Sequence, residues 1–216
     1  MYTSHNPGLQ SPRAQDDVTT DGPGVPSARS DVSAVIDLDA ADGLRCVLPV
    51  GAGHVVLSAW PGLRLSPRGE GWIDPEAVER VLHGFRAQRV THILGLCEAA
   101  ELPAGAVPDL RGWARAAGLR LVHAPVPDYT PPGAAFMRVW RRLGAQVHRQ
   151  LDGAGAVALC CLFGAGRSGT VAAMLLHERG TPMPQAIATV RAGFDLAIES
   201  PAQEAWLRDR GGAGPE

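Results

Sequence analysis

Val157-Ala158-Leu159-Cys160-Cys161-Leu162-Phe163-Gly164-Ala165-Gly166-Arg167-Ser168-Gly169-Thr170 is the stretch on which the reading of this chain turns. It opens as a short apolar run of buried-strand type, passes through a glycine-rich turn, and continues as a helix from Ser168 to about Arg179, closed by Gly180. Five residues separate Cys161 from Arg167. That interval lets the backbone curl so that its N–H groups point inward, and the glycines permit positive φ and close approach. The helix N-terminus below adds partial positive charge. Arg167 closes the ring with a planar fork suited to phosphate oxygens. A field that holds a dianion also stabilises a thiolate at Cys161, and Ser168 can hydrogen-bond the sulfur as it leaves a thiophosphate. Leu162, Phe163, Gly164, Ala165, Gly166 and Arg167 are thus the expected phosphate-binding residues.

Other readings of the same residues compete. Gly164, Gly166 and Gly169 spell G-x-G-x-x-G, but a dinucleotide fingerprint needs an acidic residue about 20 positions on, at the end of the next strand. Thr181-Pro182-Met183-Pro184 leads into a helix there. A rhodanese-type sulfurtransferase also cradles a cysteine between strand and helix, usually in a shorter loop. Cys161 could also be a small buried hydrophobe, as free cysteines often are.

Outward from this segment, strands and helices alternate. Strands are expected at Val35–Leu38, His54–Ser58, Thr91–Leu96, Leu119–His123 and Val157–Cys160. Helices are expected after Asp74-Pro75, an N-cap followed by proline at the first helical position, and at 110–117, from Phe136 to Val147, and near 184–191 and 201–208. The pattern predicts an α/β fold: a mostly parallel central sheet with helices on both faces, in which ligands bind at the carboxyl ends of strands. Residues 1–33 have almost no large apolar side chains and read as a disordered tail. Residues 34–210 read as the folded domain and 211–216 as a flexible end.

Composition excludes several chemistries. All 20 basic residues of the 216 are arginine. With no lysine there is no Schiff base and no Walker-type P-loop. A formal charge of −2 gives no basic field for nucleic acid. No apolar run reaches the length of a membrane span, no signal peptide is evident, and the cysteines (46, 97, 160, 161) have neither zinc nor disulfide-framework spacing. A cytoplasmic protein with reduced thiols is expected, without metal or organic cofactor, nucleic-acid partner or membrane partner; its oligomeric state is open.

Cys161 to Thr170 resembles the signature of cysteine-based protein tyrosine and dual-specificity phosphatases, and the resemblance extends from about His54 to Arg208. Val122-His123-Ala124-Pro125-Val126-Pro127-Asp128 and Ala197-Ile198-Glu199-Ser200-Pro201-Ala202-Gln203 are most similar to the subgroup around the cyclin-dependent kinase inhibitor 3 (kinase-associated) phosphatase and its bacterial relatives. The resemblance implies Cys161 as nucleophile, Asp128 as the acid and later base, and a phosphorylated protein or small phosphate monoester as substrate. The uncharged loop interior argues against a polyanionic inositol phosphate. Asp128 is otherwise a turn aspartate. Gln203 matches a glutamine that in some members places the hydrolytic water, while Ser200-Pro201-Ala202-Gln203 also reads as a capping box, the favoured reading. Tyr129 and Phe163 are candidate cleft walls, and His123 is expected to be satisfied by a neighbour. One departure stands out: the family usually has histidine immediately before the nucleophile, and this chain has Cys160, a weak donor. A less ordered loop and a less stabilised thiolate are expected. A phosphate-binding module with little turnover is the alternative from another class. Cys97 and Cys160 also suggest redox trapping of Cys161, with core packing the favoured role.

Overall fold

A computed structural model describes residues 42–212. The tail expected at 1–33, the strand expected at Val35–Leu38 and positions 213–216 lie outside the described residues. Seven strands and six α-helices follow in chain order among the described residues: β1 (Leu44–Val50), β2 (Gly53–Ala59), β3 (Leu63–Leu65), β4 (Gly71–Ile73), α1 (Pro75–Ala87), β5 (Val90–Gly95), α2 (Ala106–Ala116), β6 (Arg120–His123), α3 (Ala134–Asp152), β7 (Ala156–Cys161), α4 (Gly166–Glu178), α5 (Met183–Gly193) and α6 (Pro201–Gly212).

The main sheet has the order β1-β2-β7-β5-β6. β2, β7, β5 and β6 run parallel, and β1 joins β2 antiparallel at the edge. This is the mostly parallel α/β sheet expected. β7, the last strand, sits at its centre, and every residue of it is buried. Side chains alternate along a strand, so complete burial means that both faces of the sheet are covered. α3 and α4 both pack on β7 and β2, α1 on β5, α2 on β6 and α5 on β1.

Local chemistry explains most element ends. α1 starts where the Asp74 carboxylate accepts the N–H groups of Glu76 and Ala77 at 3.1 and 3.3 Å, with Pro75 at the first position. Its buried stripe is Val78, Val81, Leu82 and Phe85. α2 begins at Ala106, earlier than the periodicity suggests, because Gly105 adopts a left-handed φ of 87° and Pro108 is tolerated in the first turn. α6 continues through Gly212, past the expected end near 208. β1 and the small β3–β4 hairpin have no counterpart in the sequence reading. β1 contains Pro49, which an edge strand accommodates, and a bulge between Leu44 and Cys46 that breaks its alternation. No strand comes after β7 among the described residues, so a dinucleotide fingerprint at Gly164 has no next strand on which to place its acid.

Candidate active site

Cys161 is the last residue of β7, at the carboxyl end of the central strand. Leu162 to Ala165 form the loop, and α4 begins at Gly166. The Gly164 N–H donates to Cys161 Sγ at 3.1 Å, so the backbone does curl back over the sulfur. Gly164 has φ +84°, and a Cβ there would lie 2.5 Å from the Ser58 carbonyl carbon at the end of β2. Both the conformation and the close approach require glycine. A Cβ at Gly169 would meet Ala197 at 2.8 Å, and one at Gly166 would meet Glu199 Oε2 at 2.9 Å, so the segment 197–199 lies directly against the start of α4. Ala165 and Gly166 are buried, Leu162 half-buried and Phe163 exposed. A cavity of about 370 Å³ opens between Phe163 and Ala165 on one side and Leu196 to Glu199 on the other.

The Arg167 side chain is 2% exposed, yet charged groups surround it. Its two terminal nitrogens donate to the two oxygens of Glu101 at 2.6 and 2.8 Å, a fork-to-fork pair. One of them also donates to the Val126 carbonyl at 3.1 Å, and the other lies 3.1 Å from Asp128 Oδ1. Burial opposes the charge on Arg167, but the Glu101 bond and the thiols of Cys97 and Cys161 outweigh it and hold its pKa above the ordinary value. Ser168 is fully buried, and its Oγ has no hydrogen-bond partner among the described residues.

The structure brings Asp128 to this site from the loop after β6. Its backbone neighbourhood is anchored from the far end of the chain: Ser200 Oγ donates to the Tyr129 carbonyl at 2.6 Å, and Gln203 Nε2 donates to the Thr130 carbonyl at 3.3 Å. Tyr129 is exposed, with φ +55°. Gln203 is a completed capping box. Its N–H donates to Ser200 Oγ at 3.1 Å, and its side-chain oxygen accepts the N–H groups of Ser200 and Glu199 at 3.2 and 3.0 Å. His123 Nε2 bonds the Cys97 carbonyl at 2.8 Å, a histidine satisfied by a neighbour. Cys97 and Cys160 are core residues, and burial first, with the adjacent Cys161 adding to it, pushes both thiols above their ordinary range. All four cysteines are free thiols. No group of three or more metal-ligating side chains is gathered among the described residues, and no helix among them is long and apolar enough to cross a membrane.

Two residues that the sequence reading passed over touch this centre. Glu101 ends a single 3-10 turn, Ala99–Glu101, after β5; its only sequence signal is the capping-type spacing from Glu98. Arg45 on β1 donates from Nε to the Phe163 carbonyl at 2.7 Å, and nothing in its local sequence marks it.

The chain matches no protein-family model and no curated protein. Solved structures do match. A kinase associated phosphatase whose catalytic-site cysteine is substituted by serine aligns at TM-score 0.60 and 23% identity, over 78% of this chain and 95% of that one. This chain has the dual-specificity phosphatase fold. The active form of the phosphatase Tk-PTP aligns at TM-score 0.52 and 23% identity, over 73% of this chain and 91% of the other. PTPMT1 in complex with PI(5)P aligns at TM-score 0.54 and 15% identity, over 77% and 95%.

Proposed function

We propose that the chain is a phosphoprotein phosphatase, of tyrosine or dual specificity, that hydrolyses phosphate monoesters through a cysteinyl-phosphate intermediate. The observation that carries this reading is the Gly164 N–H on Cys161 Sγ, with Arg167 locked between Glu101 and Asp128 beside it. A backbone donor on the sulfur supports a thiolate nucleophile, and a guanidinium in the first turn of the adjoining helix supports the holding of an anion's oxygens. In the reaction Cys161 sulfur attacks phosphorus and the ester P–O bond breaks. Asp128 gives its proton to the leaving oxygen. The carboxylate so formed then takes a proton from water as that water attacks the thiophosphate, which releases inorganic phosphate and restores the thiolate. Glu101 fixes the guanidinium plane so that little reorganisation accompanies each step. Ser168, whose hydroxyl is otherwise unpartnered, donates to the departing sulfur. Leu162 to Gly166 supply the backbone donors. The scheme requires no metal or organic cofactor.

The side chains beside the loop suggest the substrate class. Glu101, Asp128 and Glu199 place carboxylates near it, which disfavours several phosphates clustered on one ligand. A phosphotyrosyl peptide is therefore expected to be turned over faster than a phosphoinositide. The deciding assay is phosphate release from p-nitrophenyl phosphate by the wild type and by Cys161→Ser. Release by the wild type alone supports the reading. No release by well-folded wild type, with phosphate binding retained, points to a binding module.

A further inference from the structure

Among the described residues, one side chain from outside the loop bonds a carbonyl of its outer arc, and it is Arg45. Its placement results from the bulge in β1. Leu44 pairs with Ser58 and Cys46 with Leu57, so Arg45 is the extra residue of the edge strand, and a bulge re-aims the side chain it carries. β2 ends beside Cys161, because Ala59 pairs with Cys161, so the re-aimed arginine reaches over the end of β2 to the loop. There its guanidinium carbon stands 4.1 Å from the centre of the Phe163 ring and 5.8 Å from that of Phe194. The two rings hold the cation by their negative faces.

The charge on Arg45 differs from that on Arg167. Arg167 faces Glu101 and Asp128, so its charge is met by two carboxylates. Arg45 has no ion-pair partner among the described residues. Burial lowers its pKa, and the Cys161 sulfur acts against that, so the two groups feel each other electrostatically. The titratable and charged groups that bear on Cys161 are Arg167 from the first turn of α4, Cys160 from β7, Cys97 after β5, Arg45 from β1 and, through Arg167, Glu101 and Asp128.

We propose that Arg45 is a positioning residue of the phosphate loop: its bond to the Phe163 carbonyl pins the outer arc, and its unmatched positive charge supports the Cys161 thiolate and the bound dianion. Cys160, buried in the sheet just before the nucleophile, contributes no bond to that arc, so the support comes from a neighbouring strand instead of from the nucleophile's own. The turnover part of this inference rests on the phosphatase reading; the alkylation part does not.

The test uses the full chain and the variants Arg45→Leu, Arg45→Gln and Arg45→Lys. Carboxymethylation of Cys161 by iodoacetate is measured by mass spectrometry across pH, with neutral iodoacetamide in parallel, and each protein's melting temperature is recorded. Arg45→Leu is expected to slow carboxymethylation near neutral pH roughly tenfold, the scale of one short-range charge in a partly buried site, and to move its profile to higher pH. Arg45→Gln restores a donor to Phe163 without charge and recovers less than Arg45→Lys. The kcat for p-nitrophenyl phosphate falls in the same order while melting temperatures stay close to wild type. Wild-type alkylation by Arg45→Leu, or losses that track the melting temperature alone, overturns the proposal. If the wild type has no turnover, the phosphatase reading fails, and the alkylation series still decides the role of Arg45.

Discussion

Cys97 and Cys161 stand at the carboxyl ends of two neighbouring parallel strands, and both are buried. The residues next in the chain set them apart. After Cys161 come glycines and a helix start, and Gly164 turns its N–H onto the sulfur. After Cys97 come Glu98 and Glu101, the Glu98 N–H donates to the Glu101 carboxylate at 2.7 Å, and the Cys97 carbonyl is taken by His123. Burial drives the Cys97 thiol far above its ordinary range, a direction that the nearby Cys161 and Glu101 reinforce. A strand end in this fold therefore provides a sheltered thiol. The donors next to it in the chain separate a thiol met by a backbone N–H from one packed in the core. The turn after Cys97 contributes something else, the carboxylate that orients Arg167.

Replacing each cysteine tests this contrast most severely. Cys161→Ser is expected to remove turnover of p-nitrophenyl phosphate, a loss of roughly 10⁵-fold or more for a nucleophile, while Cys97→Ala, which removes one core atom and adds no polar group, stays within about threefold. Comparable losses in the two variants would dissolve the distinction. Asp128→Asn is next in size. For an alkyl phosphate with a poor leaving group, kcat should fall roughly 10²- to 10³-fold, in the range of general acid catalysis, and far less for p-nitrophenyl phosphate. Equal losses on both would take the acid's role from Asp128. Glu101→Gln addresses the second contribution of the Cys97 turn: with one arm of the fork weakened, kcat should drop about tenfold, with KM changed less. An unchanged kcat would show that Arg167 holds its plane without the carboxylate.

The smallest expected effect lies away from both cysteines and serves as a control on stability. Asp42 accepts from Arg80 at 2.9 and 3.0 Å and from Arg64 at 3.0 Å, and the Arg80 bond, with Arg64 adding to it, holds its carboxyl below the usual range against the opposing effect of burial. A carboxyl whose folded pKa is depressed adds stability that is fully present above the unfolded value of about 3.9 and is lost as pH falls through the folded value. The melting-temperature gap between wild type and Asp42→Asn should be full at neutral pH and close on acidification below roughly pH 4, with turnover at neutral pH unaffected. A gap independent of pH would mean that the ion pairs contribute nothing through the charge of Asp42.

The parts of the site that the sequence made legible are local. The path from β7 through the glycine turn to α4 lies within fourteen consecutive residues, so composition and spacing described it before any tertiary contact was known. Asp128 was singled out through the resemblance of the segment from Val122 to Asp128; its position after a strand in a proline-rich loop by itself reads equally as a turn aspartate. Ser200 and Gln203 were legible as a capping box, but their reach to the Tyr129 and Thr130 carbonyls was not, because that contact depends on how α6 is laid down. Glu101 and Arg45 were illegible for the same physical reason. Glu101 meets Arg167 across 66 positions and Arg45 meets Phe163 across 118, and in each case a short irregularity, a 3-10 turn or a bulge, aims the side chain. The early start of α2 escaped because a left-handed glycine replaced the usual polar cap.

The anchoring of the Asp128 loop by α6 has a consequence for the order of events in biosynthesis. Ser200 and Gln203 hold carbonyls that were synthesised 71 and 73 residues earlier. A nascent chain that has released β7 and α4 already possesses Cys161, the glycine turn and Arg167, but the loop around Asp128 lacks these two anchors until α6 emerges. The loop that carries Asp128 thus gains its full set of bonds later than the loop that follows Cys161.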